Sequence, residues 1–201
     1  LEVFSVAAFA LTAFHTEDGQ SIEAAFKYLI TNSIAAFFVA IGLALLYMNT
    51  GALNLAHVAR AFKPTYGGLI GIALLVGGYA TKAALVPWHF WLPDAHAAAP
   101  APISAVFSGA LIKVGVYAVA RAVLTLVPPE QAGPLHSALI AAGVVSILVG
   151  GIQMLHQKQI KRILAYSSVA QMGYIVLGIG IGTPVALAGA ALHLLHHALV
   201  K

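Results

Sequence analysis

Residues 67–102 read GGLIGIALLVGGYATKAALVPWHFWLPDAHAAAPAP. Up to Pro87 the stretch is apolar, about as long as a bilayer crossing requires, and carries a single charge, Lys82. It then meets Pro87, Pro93, Pro100 and Pro102. Four prolines in 16 residues cannot belong to one straight helix, because each lacks an amide donor and crowds the preceding turn. Trp88 and Trp91, the chain's only tryptophans, lie in the same stretch, and tryptophan prefers the membrane–water boundary. A span that starts near Gly67 and breaks between Lys82 and Trp91, followed by a re-entrant or interfacial piece, accounts for both facts. Broken backbone at that depth must be covered by protein or line a wet cavity, so the stretch predicts a bundle and not a lone anchor.

The rest of the chain agrees. Its 201 residues are 61% hydrophobic and 8% charged, with a mean hydropathy of +0.93. A soluble domain carries roughly 25% charged residues. In lipid the backbone must satisfy itself, which leaves helices or a closed barrel. The apolar runs last about 20 residues and do not alternate over about 10, which selects helices. The fold class is therefore all-α, a polytopic transmembrane bundle of about seven spans with one discontinuous helix. Spans are expected over 1–14, 22–48, 67–87, 103–127, 135–155, 160–181 and 184–201, with Ser21 as a cap for the second. Between the second and third, residues 49–66 read as a short amphipathic piece at the interface. The chain has no initiator Met and starts and stops inside apolar runs, so it reads as an interior piece of a longer protein. With no cysteine, it contains no disulfide, no thiolate nucleophile and no Cys-ligated iron–sulfur cluster. The formal charge of +4 is spread over the connectors, and no basic run suggests nucleic acid. The basic residues lean towards a cytoplasmic location for Lys158–Arg162.

Chemistry is carried by ionisable groups inside apolar spans. Glu2, Lys82 and Lys113 each sit in such a run, where a charge at the bilayer centre costs ~2.5–3.5 kcal/mol even on a lenient scale. A passive anchor gains nothing from them. An amine in a dry interior gives up its proton more readily than in water, and a neighbouring carboxylate opposes that, so a Glu2–Lys82 pair can control a proton. The alternatives are a static ion pair or lysines that snorkel to the surface. Lys113 lies about ten residues from either end of its span, too far to snorkel easily. In the last span His193, His197 and Lys201 are spaced i, i+4, i+8 and share one face, with His196 beside them. Neutral imidazole both donates and accepts, which suits a relay; structural hydrogen-bonded histidines are the rival reading. A metal site is disfavoured, since the helix lacks the glutamate of HExxH and no third ligand is evident. Asp94 and His96 either line a water inlet or, for Asp94, cap the next helix. Lys27, Arg60, Lys63, Lys158, Lys161 and Arg162 sit at span ends and read as headgroup anchors. Gln153, Ser167, Ser168 and Gln171 hold helices or water and are assigned no chemistry. No nucleotide, haem or hydrolase motif is present, and no cofactor or metal is expected.

Three segments carry a resemblance. They are residues 78–121, with Lys82, Trp91-Leu92-Pro93-Asp94-Ala95-His96 and Lys113-Val114-Gly115-Val116-Tyr117; residues 159–174; and residues 192–201. Together they resemble the antiporter-like family of proton-translocating membrane subunits, found in respiratory complex I, membrane-bound hydrogenases and multi-subunit Na⁺/H⁺ antiporters. The resemblance implies two inverted five-helix repeats, each with one broken helix. Residues 1–127 would form most of the first repeat and 135–201 the opening of the second. It also implies that Glu2 pairs with Lys82, that Lys113 is the connecting lysine, and that His193, His197 and Lys201 link two half-channels. The implied partners are other membrane subunits, the lipid bilayer, and protons or Na⁺, in the inner cell membrane. The Leu92–His96 string is closer to the redox-complex members than to the antiporters. The expected function is therefore proton pumping coupled to electron transfer in partner subunits; the alternatives are a Na⁺/H⁺ antiporter subunit and a scaffold that has lost transport.

Overall fold

A computed structural model describes the backbone of residues 2–128 and 132–201, and within those ranges the side chains from residue 3 onward. The helices are α1 (Glu2–Thr12), α2 (Gly19–Thr50), α3 (Leu55–Ala61), α4 (Tyr66–Lys82), α5 (Trp91–Ala98), α6 (Ala101–Val106), α7 (Ile112–Leu126), α8 (Ala132–Leu155), α9 (Ile160–Ile181) and α10 (Pro184–Val200). A single π turn, Phe107–Leu111, joins α6 to α7 without a break. Strands are absent among the described residues. Helix α2, the run from α6 through α7, α8 and α9 are long and apolar enough to cross a bilayer; α1 and α10 are shorter apolar helices. Part of the expected Pro128–Pro134 connector, residues 129–131, lies outside the described residues.

Helix ends follow local chemistry. Asp18, not Ser21, caps α2: its carboxylate accepts from the amide of Gln20 at 3.0 Å, and Ser21 Oγ donates to the same side chain at 3.3 Å. The carboxylate is the stronger acceptor, so the helix starts three residues earlier than expected. Asn54 caps α3, the short piece expected at the interface, with Val58 turned inward and Arg60 in its last turn. Asn49 fastens the chain after α3 to the end of α2, through the amide and carbonyl of Lys63 and the hydroxyl of Thr65. Gly182 ends α9 in the left-handed region at φ 71°, and Thr183 with Pro184 then opens α10.

The expected break is present, and α4 stops at Lys82 itself. The end is a Schellman motif. Leu85 donates to the carbonyl of Ala80 at 3.1 Å and Ala84 to that of Thr81 at 3.0 Å. Glycine normally takes the left-handed position; here Ala84 does, at φ 54°, in a region that disfavours a Cβ. Two neighbours cover the exposed polar groups. Ser146 of α8 accepts the amide of Val86 at 3.0 Å, and the Trp91 indole donates to the carbonyl of Thr81 at 3.1 Å. The break is thereby satisfied by protein, as backbone away from water must be. Trp91 is fully buried, edge-on to Tyr28 of α2 at 5.1 Å, with Phe107 stacked on Tyr28 from the other side.

Small residues set the packing. Helix α2 lies along α4 and α8 along α9. At Gly42, Gly71, Gly143 and Gly173 a Cβ would fall within about 3 Å of the facing backbone or side chains. The outer faces carry large apolar side chains such as Phe26, Ile30, Phe37, Leu148 and Leu192, as a surface turned to lipid or to further membrane helices requires.

Candidate functional site

The break places Lys82 at the last position of α4, 2% exposed. Its ammonium donates to Ser5 Oγ of α1 at 2.9 Å. The side chain of Glu2, three residues earlier on α1, lies outside the described residues, and with it the expected Glu2–Lys82 pair.

Lys113 opens α7 and is 6% exposed. The π turn just before it directs the amide of Ile112 to the carbonyl of Phe107, five residues back, instead of Ser108, four back. The Ser108 carbonyl takes a hydrogen bond from the Lys113 ammonium. Lys113 Nζ also meets Nδ1 of His197 on α10 at 2.8 Å, and His197 is itself buried. An ammonium can only donate, so Nδ1 is the acceptor and the imidazole proton is on Nε2. That second nitrogen is buried and has no partner among the described residues.

The rest of the α10 stripe faces elsewhere. His193 Nε2 pairs with Gln171 Oε1 of α9 at 2.6 Å, and Lys201 donates to the carbonyl of Leu164, also on α9, at 2.8 Å. Only His197 of the three reaches Lys113.

The two inlet candidates separate as well. Asp94 lies at the edge of a polar cleft of about 420 Å³, where Lys27 of α2 and Arg162 of α9 both bind its carboxylate at 2.8 Å. Lys27 is shared with Glu23, and Lys161 donates to the carbonyl of Ala99 at 2.7 Å. Asp94 thus straps α5 to α2 and α9, and it caps nothing: α5 has no side-chain cap. The residues read as headgroup anchors here bind protein.

His96, two positions on, is 3% exposed and points inward. Its Nε2 is 3.2 Å from Ser108 Oγ, which is 3.0 Å from Ser168 Oγ, which donates to the carbonyl of Leu164 at 2.9 Å. Each hydroxyl has one proton. Ser168 spends its own on Leu164, so Ser108 donates to Ser168 and His96 Nε2–H donates to Ser108. The row runs in one direction from His96 to the carbonyl that Lys201 also binds. Ser108 went unnoticed in the sequence, and Ser168 and Gln171 were given no chemistry. The available signal was one hydroxyl in an apolar run, five residues before a buried lysine.

Among the described residues no three His, Cys, Asp or Glu side chains converge to hold a metal. What the arrangement offers is donors and acceptors in series through a bilayer-long bundle: Ser5, Lys82, Lys113, His197 and the His96–Ser108–Ser168 branch.

Known proteins share this sequence and fold. The family model for NADH:quinone oxidoreductase/Mrp antiporter, TM, matches residues 1–201. NADH-quinone oxidoreductase subunit N of Desulforudis audaxviator is 44% identical over the whole chain, which covers 40% of that protein. Among solved structures, a chain of the archaeal membrane-bound sulfane sulfur reductase superposes with a TM-score of 0.94 at 37% identity, covering 99% of this chain and 41% of that one. A chain of the Mrp complex from Dietzia sp. DQ12-45-1b does so with a TM-score of 0.83 at 29% identity, covering 90% and 34%. The chain therefore spans about two fifths, or less, of each relative. The helical bundle, its broken helix and the matching sequence over every residue place this chain in the NADH:quinone oxidoreductase/Mrp antiporter family of multi-pass membrane subunits.

Proposed function

We propose that the chain is the central part of a proton-translocating subunit, in which Lys82, Lys113, His197 and Lys201 pass protons through the membrane interior. Residues 1–127 make up most of one repeat and 135–201 begin a second. Glu2 acts as the partner of Lys82, and His193 borders the row. Electron transfer in partner subunits of an inner-membrane oxidoreductase supplies the driving force, and no residue of this chain holds a redox centre.

The contact between Lys113 and His197 carries the reading. Two cations 2.8 Å apart would repel by about 6 kcal/mol even at an effective dielectric near 20, so the pair shares one proton. A proton given by Nζ to Nδ1 lets the imidazole release its other proton from Nε2, on the far side of the ring. The pair thus moves a proton across the ring without rotating, from a helix of the first proposed repeat to one of the second.

Lys113→Met tests this in the full-length subunit within its assembled complex. Methionine keeps the length and removes the titratable amine. Proton transport in reconstituted vesicles should fall by at least tenfold while the complex still assembles. Lys113→Arg should fail too, because guanidinium keeps its proton. Transport at the wild-type rate by the Met variant would refute the role.

A second reading is Na⁺/H⁺ exchange, which the 0.83 TM-score to a chain of the Mrp complex favours. It predicts that the vesicle pH gradient collapses on adding Na⁺ without any electron donor. The redox reading predicts no response to Na⁺ alone.

A further inference from the structure

Asn32 lies on α2, 3% exposed, and the row of proton carriers does not include it. Its amide nitrogen donates to the carbonyl of Tyr28 at 3.1 Å. A carbonyl can only accept, so the orientation of the amide is settled: NH₂ faces Tyr28 and Oδ1 faces away. Oδ1 is sealed from the outer surface and accepts no hydrogen bond from any described residue. Buried acceptors are almost always satisfied, by protein or by water.

Beside Asn32 is a void of about 10 Å³, lined by Phe4, Ser5, Asn32, Lys82, Leu111 and Val114. A single water needs about 10–15 Å³ and two to four polar partners. The lining offers three: the Asn32 amide oxygen, the Ser5 hydroxyl and the Lys82 ammonium. The other three are apolar and hold a water in place without competing for it.

We propose that Asn32 is a positioning residue that holds one water against Lys82. The inference rests on the reading of Lys82 as a proton carrier. The water donates one hydrogen bond to Oδ1, which leaves a lone pair for Nζ. When Lys82 releases its proton, the water takes it and passes one of its own to the next acceptor. The water is unchanged at the end, and Asn32 gains no proton at any stage. Ser5 alone is a poorer exit, because its hydroxyl is already engaged by Nζ at 2.9 Å.

Three variants of the full-length subunit in its assembled complex test the idea, with proton transport in vesicles and a cryo-EM map that shows waters. Asn32→Leu is nearly isosteric and removes the acceptor. Asn32→Ser retains an acceptor and enlarges the void. Lys82→Met tests the underlying reading. The wild-type map should show density at about 2.7–3.2 Å from Oδ1. Asn32→Leu should lose that density and slow transport by about tenfold or more. Asn32→Ser should stay within about threefold of wild type, a rescue that a purely structural asparagine would not give. Transport at the wild-type rate by Asn32→Leu, with Lys82→Met inactive, overturns the role of Asn32 and leaves Lys82 standing. Lys82→Met at the wild-type rate overturns the parent reading instead. If Asn32→Leu fails to assemble, the wild-type map and the Ser variant decide: missing density, or lost transport with serine, refutes the proposal.

Discussion

Gly115 lies two residues after Lys113, on the face of α7 that meets the break in α4. A Cβ built there would fall 2.7 Å from the amide nitrogen of Ala83, 2.9 Å from the carbonyl carbon of Lys82 and 3.0 Å from the carbonyl oxygen of Tyr79. All three are backbone atoms of the Schellman turn, so no side chain can swing aside. To accept Gly115→Ala the two helices must part by about 0.7 Å, the shortfall between 2.7 Å and the 3.4 Å of ordinary contact. Overpacking of this kind costs about 1–3 kcal/mol, against about 0.5–1 kcal/mol gained from alanine's helix propensity. The net expectation is a loss of about 1 kcal/mol and a Lys82 displaced relative to Lys113. Misplacement of reacting groups by 1 Å costs on the order of 10²-fold, so a shift of about 0.7 Å should slow proton transport roughly tenfold. Gly77→Ala on α4 is the matched control, because nothing lies within 4 Å of its added methyl. The assay compares thermal unfolding and vesicle proton transport of the two variants in the assembled complex. Equal stability and equal transport would refute the argument that the turn bearing Lys82 is seated directly on α7.

Two further substitutions probe the frame. Asp94→Asn should lower stability by about 1 kcal/mol, since both its partners are about two-fifths exposed and solvent weakens each pair; the melting-temperature difference from wild type should shrink in high salt, and a salt-independent difference would show that ion pairing is not its role. Trp91→Phe keeps a ring against Tyr28 but leaves the Thr81 carbonyl at the break without its indole donor, a loss of about 1–3 kcal/mol. Trp88→Phe, at a partly exposed ring, should cost less than about 0.5 kcal/mol by the same melting assay, and equal losses would discount the indole hydrogen bond.

What the sequence disclosed follows from how local each cause is. The apolar runs and the prolines act within a turn or two of themselves, and α9 falls on the expected residues 160–181 for that reason. The break at Lys82 was legible because Pro87 and Pro93 forbid a straight helix whatever surrounds them. The strap at Asp94 was not, because its partners are 67 and 68 residues away along the chain. Seen within one span, Lys27 and Arg162 are indistinguishable from headgroup anchors.

Rotation hides the site more deeply. A helix advances about 100° per residue, and a π turn holds one residue more than the α pattern allows. Everything after Phe107–Leu111 is therefore turned relative to α6, and a period of 3.6 drawn through residues 101–126 misplaces either Ser108 or Lys113. Regular α10 shows the complementary limit. Its periodicity does put His193, His197 and Lys201 on one face, yet a face is wide enough to meet two neighbours. His197 finds Lys113, while His193 and Lys201 find Gln171 and Leu164 on α9. Spacing alone ranks the three residues as equals. Their partners do not: His197 exchanges with a titratable group and retains a buried second nitrogen, whereas Lys201 ends on a carbonyl that accepts hydrogen bonds and passes nothing on. A proton reaching Lys201 therefore needs an onward acceptor other than Leu164, and the polar group to seek in the full-length subunit is one within reach of Lys201 Nζ or His197 Nε2.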